Sequence, residues 1–138
     1  MARRDADVRP LRGVHVLLVC DDGERCALFA NALTYAGALT TACGSAADAH
    51  TVLDRVHANV LVVEVRDAAA RTRFIHAVRA RDEHGAGLPA LALTGRDDDR
   101  AALLEAGFHE HVTMPVRADE LARTVAALAV RPALPPES

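Results

Sequence analysis

Apolar and polar positions divide this chain into short apolar runs that alternate with longer segments of helical spacing. Val14 to Cys20 is a β-branched and aliphatic run, the mark of a strand buried on both faces. Arg25 to Tyr35 places Leu28, Phe29, Ala32 and Leu33 on one helical face, and Gly37 suits the stop that follows. Ala38 to Cys43 reads as a weaker strand at a sheet edge. Ser45 is a good N-cap, with Asp48 three residues on, and Ala49, Val52, Leu53 and Val56 continue as a second helix. Asn59 to Val65 is the strongest strand. Phe74, Ile75 and Val78 mark a third helix, and Pro89 to Thr94 a fourth strand. Asp97, Asp98 and Asp99 put negative charge at the positive end of a fourth helix, which Gly107 closes. His109 to Thr113 is a fifth strand, and Asp119 to Val130 a last amphipathic helix.

Five strands alternating with five helices call for a mostly parallel sheet covered on both faces. The expected architecture is α/β: a flavodoxin-like, doubly wound (βα)5 three-layer sandwich with strand order 2-1-3-4-5. Residues 1–12 are charged and non-periodic and read as a loose arm. Residues 13–131 form the domain, and 132–138 a proline-rich tail that cannot continue a helix. In such sheets functional groups gather at the carboxyl ends of the strands.

Composition narrows the function classes. The 138 residues suit one domain with one core, which must be aliphatic because there is no Trp, one Tyr and three Phe. A net charge of −3 gives no general attraction to nucleic acid or anionic membranes. No apolar run approaches membrane-spanning length and no signal-peptide h-region opens the chain, so a cytoplasmic location is expected. Cys20, Cys26 and Cys43 are odd in number and lack metal-type spacing. Lysine is absent, and all sixteen basic residues are arginine.

The strand ends carry the candidate chemistry. The first runs into Cys20-Asp21-Asp22, the third into Glu64, the fourth into Thr94, and the fifth into Met114-Pro115. Over about residues 14–130 this order resembles the receiver domain of two-component response regulators. The resemblance rests on Val16-Leu-Leu-Val-Cys-Asp-Asp, Tyr35-Ala-Gly-Ala through Ser45-Ala-Ala-Asp-Ala, Ala90-Leu-Ala-Leu-Thr-Gly with Ala106-Gly-Phe, and Val112-Thr-Met-Pro-Val. The resemblance implies Mg²⁺ on a paired acid after strand one, phosphorylation of an Asp after strand three, a Thr or Ser after strand four, and a Lys before the Pro after strand five.

Carried over by position, Cys20 falls on the first acid, Asp21 on the direct metal ligand, and Asp22 follows. Glu64 falls on the phosphorylated Asp, and Thr94 is retained as the switch hydroxyl. Met114 replaces the Lys while Pro115 is kept. His111 stands where the family has a Tyr or Phe that reports the active state. The loop Val65-Arg66-Asp67-Ala68-Ala69-Ala70 lacks the family's Met-Pro and Asp-Gly.

Each exchange weakens phosphoryl chemistry. Glu64 moves its oxygens outward by one carbon–carbon bond, about 1.5 Å, and an error of about 1 Å costs around a hundredfold in rate. A charge pair about 4 Å apart near a surface is worth roughly 4 kcal/mol, which Met114 cannot supply. Cys20 removes a negative charge, so Mg²⁺ is expected to bind weakly or not at all, with Asp21 and Glu64 as its only candidates. The expectation is therefore a pseudo-receiver, not an enzyme, working in phosphorelay signalling as a protein-interaction module. Its partners would be a histidine kinase, another regulator or a second copy, bound through the fourth helix, fifth strand and last helix. Three alternatives stand beside it: a Glu64 that mimics phospho-Asp with Thr94 hydrogen-bonded to it, a small-ligand sensor, and residual phosphotransfer to Asp21, Asp22 or Asp67. Arg66, on the same side as Glu64 if the strand persists, is a candidate replacement for the lysine charge.

Other polar residues have plainer readings. His109 and His111 share a strand face but lack a third ligand. His50 and His57 lie on a helix that core packing explains. Cys20 and Cys43 end neighbouring strands and read as small buried thiols before a redox couple. Arg71, Arg73, Arg79 and Arg81 read as a solvated stripe on the third helix.

Overall fold

The computed structural model describes residues 9–95 and 100–130. Within them the elements run β1 (His15–Cys20), α1 (Gly23–Tyr35), β2 (Leu39–Cys43), α2 (Ala46–Leu53), β3 (Val60–Glu64), α3 (Ala68–Arg79), α4 (Glu83–Gly87), β4 (Ala90–Thr94), α5 (Arg100–Ala106), β5 (Glu110–Thr113) and α6 (Ala118–Ala129). All strand pairs are parallel, and the sheet order is β2-β1-β3-β4-β5, the flavodoxin-like order expected. Expectations for residues 1–8, for Asp97-Asp98-Asp99 and for the 132–138 tail lie outside the described residues.

Alternation along the strands divides the core into two halves. Leu17, Val19, Cys43, Leu61 and Val63 face α2, α3 and α5, where Leu53, Phe74, Ile75 and Leu103 meet them. Val16, Leu18, Cys20, Val60 and Val62 face the other way, onto Leu33 of α1 and Leu121 and Val125 of α6. The central strands β3 and β4 are buried at every position, which is why they read as unbroken apolar runs. Edge strand β2 is half open, matching its weaker signal.

Helix starts follow side-chain capping. Ser45 Oγ accepts the Asp48 N–H at 3.1 Å, and Asp22 Oδ1 accepts the Arg25 N–H at 3.0 Å. Three features depart from the sequence reading. Helix α4 has no apolar periodicity to announce it; it forms because Asp82 caps it through the Gly85 N–H at 3.1 Å. Leu11, assigned to the arm, is fully buried and donates its N–H to Ala36 O at 2.9 Å. Of the α3 arginines, Arg73 is exposed as expected, but Arg71 and Arg79 are not part of a solvated stripe: Arg71 is buried and donates to Val65 O at 3.0 Å. Arg79 donates to Gly85 O at 2.9 Å, Leu88 O at 2.7 Å and Gly107 O at 2.6 Å. Both guanidiniums are thereby spent on backbone carbonyls. No described helix is long and apolar enough to cross a membrane.

Candidate functional site

Parallel pairing brings the ends of β1, β3 and β4 to one edge of the sheet. Cys20 lies in register with Glu64, and Asp21 N–H donates to Glu64 O at 3.2 Å. Among the described residues the buried polar side chains are Glu64, Arg71 and Thr94, and all three line one cleft at this edge. Of the expected site residues, Glu64, Thr94 and Met114 line this cleft, while Asp21 is exposed beside it.

Glu64 is 3% exposed. Its Oε2 accepts from Arg25 Nε at 3.0 Å, and Arg25 Nη2 stands 3.0 Å from the same oxygen. Arg25 sits in the first turn of α1, three residues after Asp22, whose carboxylate is 3.6 Å from its Nη1. One guanidinium thus serves the acid at the phospho-acceptor position and the acid that caps the helix. Burial pushes the Glu64 carboxyl above its usual value; Arg25 opposes the shift, and Asp21 and Asp22 add to it. Glu64 Oε1 is buried without a hydrogen-bond partner.

The cation paired with Glu64 is thus Arg25 rather than Arg66. Arg66 contributes its backbone N–H, which donates to Asp21 Oδ2 at 2.9 Å. Sequence reading missed Arg25 because it looked only like the start of an amphipathic helix. The available signal was a cation in the first turn after β1, in a chain that has no lysine.

Thr94 Oγ1 is 2.7 Å from His111 Nε2, while Glu64 is held by Arg25. The Thr94–Glu64 hydrogen bond anticipated for a phospho-Asp mimic is replaced by these two separate contacts. Met114 N–H donates to Thr94 O at 2.7 Å, its side chain packs on the core half under α1 and α6, and the Met114–Pro115 peptide is cis.

The other acids are engaged as well. Asp22 accepts the Arg25 N–H, a bond that holds its carboxyl below the usual range. Asp67 accepts the Ala69 N–H at 3.3 Å as the cap of α3. This donor set does not fit Mg²⁺, which needs several free oxygens in near-octahedral array. Cys20 turns into the apolar core, Asp21 already takes an amide, and Glu64 faces a guanidinium. Among the described residues no group of three or more His, Cys, Asp and Glu side chains is placed to hold a metal.

The secondary candidates separate. His109 Nδ1 accepts the Ala90 N–H at 3.1 Å while His111 meets Thr94, so the two rings serve different partners. His50 packs on Phe74 with ring centroids 5.3 Å apart, and Arg81 Nη1 lies 3.2 Å from its Nδ1. His57 lies against His84 with the rings tilted by 43° and their centroids 4.4 Å apart. Cys20 and Cys43 lie in opposite core halves, which removes them as a couple. The burial-raised pKa of each fits the buried-thiol reading.

No family model matches the chain. It is 33% identical over 134 residues to an uncharacterized 14.6 kDa protein encoded in the sodA1 3′ region of Leptolyngbya boryana, covering 95% of this chain and 100% of that one. It is 32% identical over 128 residues to the probable transcriptional regulatory protein TcrX of Mycobacterium tuberculosis. That match covers 91% of this chain, which spans about half (52%) of the TcrX length. Among solved structures, the receiver domain of the sensor histidine kinase PA1611 of Pseudomonas aeruginosa superposes with a TM-score of 0.70 at 26% identity, over 85% of this chain and 98% of that one. That structure has a magnesium ion coordinated in its active-site cleft.

Proposed function

The chain belongs to the receiver-domain family of two-component response regulators, and from that premise we propose that it is a pseudo-receiver, which signals by binding protein partners and accepts no phosphate at Glu64. The observation that carries this reading is the Arg25–Glu64 ion pair. A receiver's acceptor must present a free carboxylate oxygen in line with the donor phosphorus, beside cations that absorb the developing charge. Here the charged oxygen is already bound by a guanidinium, and Met114 supplies no ammonium group. Asp21, Asp22 and Asp67 are poor substitutes, because each already accepts a backbone N–H.

The working surface is α5, β5 and α6, where Leu104 is 38% exposed, Arg100 pairs with Glu110 and Arg123 pairs with Asp119. It binds a histidine kinase, another regulator or a second copy of the chain. Incubation with acetyl phosphate or beryllofluoride plus Mg²⁺ is expected to leave the intact mass and the spectra unchanged. An acyl-phosphate recovered on Glu64 overturns the proposal.

One observation favours a second reading, a small-ligand sensor. The cleft beside Glu64 has a volume of about 430 Å³ and is walled in part by Arg66, Thr94 and Met114, within the usual range for ligand sites. A thermal-shift screen separates the readings: a metabolite that raises Tm in the wild type and not in Met114→Lys supports the sensor.

A further inference from the structure

The sheet has β2 at one edge and β5 at the other, and the two edges differ in chemistry. β5 carries Glu110 and His111, and Arg100 pairs with Glu110 beside it. β2 has no charged residue, no proline and no bulge in its pairing with β1, and residues 26–47 are uncharged throughout. Charge, proline and bulges are the features that keep an edge strand from pairing with another chain. Leu39 opens β2 and is 65% exposed, while Leu28 and Tyr35 on α1 are 67% and 77% exposed.

Hydrogen bonding shows which groups face outwards. Leu39 N–H donates to Val14 O at 2.9 Å, so by the period of two the backbone groups of Leu39, Thr41 and Cys43 face β1, and those of Thr40 and Ala42 face away from the sheet. Thr34 Oγ1 donates to Thr40 Oγ1 at 3.2 Å, which puts the Thr34 side of α1 over this edge. Asn31 and Ala27, at helical spacing before Thr34, share that side and are exposed.

We infer that β2 is a dimerisation edge: two copies of the chain pair β2 with β2 antiparallel, about a two-fold axis at Thr41, and join their sheets into one. In that register the amide and carbonyl of Thr40 bond those of Ala42 in the second copy, the reverse pair does the same, and Thr41 faces Thr41. Every outward backbone group at Thr40 and Ala42 is then satisfied. The contact is self-complementary, and it lays uncharged surface on uncharged surface, so no ion is stripped of water. Helix α1 packs on both β1 and β2. With strands about 4.8 Å apart, an α1 centred over that pair lies roughly 5 Å from the axis, and the two α1 helices stand about 10 Å apart, at helix-packing distance. The pairing involves no group of the Glu64 cleft, and it leaves the α5–β5–α6 face, across the sheet, open to the partners described above.

Sedimentation equilibrium and register-specific cross-linking test the inference. The wild type is expected to form a concentration-dependent dimer. Ala42→Pro removes an outward N–H and leaves the β1 ladder intact, and Ala42→Lys places a charge on the edge; each should raise the dimer Kd at least tenfold, with circular dichroism and thermal melts checking that both fold. In a Cys26→Ser/Cys43→Ser background, Thr41→Cys should link to itself under mild oxidation, because residues facing each other there stand about 4.5 Å apart between Cα atoms, within disulfide reach. Leu39→Cys, on the same side of the strand and four residues out of register with itself, should stay unlinked. A chain that remains monomeric, a dimer unmoved by both Ala42 variants, or Leu39→Cys linking as fast as Thr41→Cys overturns the inference. A monomeric chain whose binding of a kinase is lost in Ala42→Pro gives this edge to a different protein and also overturns it.

Discussion

Arg25 is the residue on which the candidate site turns. Removing it leaves Glu64 buried with no charged partner, a change that is costly when the pair is dry. Arg25→Ala should lower stability at neutral pH by about 2 kcal/mol, below the roughly 3–5 of fully buried pairs because Arg25 keeps 30% exposure. The pH dependence has a definite sign. Burial raises the Glu64 carboxyl in the folded state, so the folded chain holds that proton more tightly than the unfolded chain. Stability from this group is therefore fully present below the unfolded value and falls as pH rises through the folded one. Arg25→Ala pushes the folded value further up, so its stability deficit should grow between acid and neutral pH. Urea melts over that range check this, and Glu64→Gln should abolish the slope. A companion experiment addresses the chemistry. Glu64→Asp alone should remain unlabelled by acetyl phosphate with Mg²⁺, because Met114 and Cys20 are unchanged; adding Met114→Lys and Cys20→Asp should restore labelling.

Elements were legible in proportion to how strongly one local rule governed them. Strands β1, β3 and β4 lie between two layers, so nearly every position is apolar and the run is visible without tertiary knowledge. Ser45 announced α2 through its hydroxyl, and Ser45→Ala should cost about 1 kcal/mol in a thermal melt. Gly107 announced the end of α5, and its φ of 132° shows why. A Cβ there would stand 3.2 Å from Ile75 Cγ1, so Gly107→Ala should destabilise by about 1–3 kcal/mol through backbone strain and crowding. Helix α4 obeys no such local rule. It depends on a close approach, since a Cβ at Gly85 would lie 2.6 Å from Val78 O, and spacing within five residues cannot reveal that. Site assignments divide in the same way. Glu64, Thr94 and Met114 are fixed by strand ends, which sequence position specifies. Arg25 reaches Glu64 across a helix–sheet contact 39 residues away in the chain, and only packing places it there.

For the whole molecule, the parallel order and two-sided core keep the receiver scaffold while the charge pattern at its functional edge changes. A domain that signals through contact alone should show partner affinity that is indifferent to Mg²⁺ and phosphodonor. Leu104→Glu and Arg123→Glu on the α5–β5–α6 face should weaken a cognate kinase or self-association at least tenfold by titration calorimetry. Thr51→Glu on α2 should leave it unchanged. Loss of binding from the α2 change alone would move the interface to the opposite, β2 edge of the sheet.

Arg79 ties distant turns together. Its single side chain donates to carbonyls inside α4, just after α4 and just after α5. Those segments cannot loosen one at a time without stranding part of that fan of donors. Amides flanking Gly85, Leu88 and Gly107 should exchange with deuterium as a single cooperative unit. An ammonium at position 79 has too few directions to hold all of them, so Arg79→Lys should split that unit into independently opening pieces.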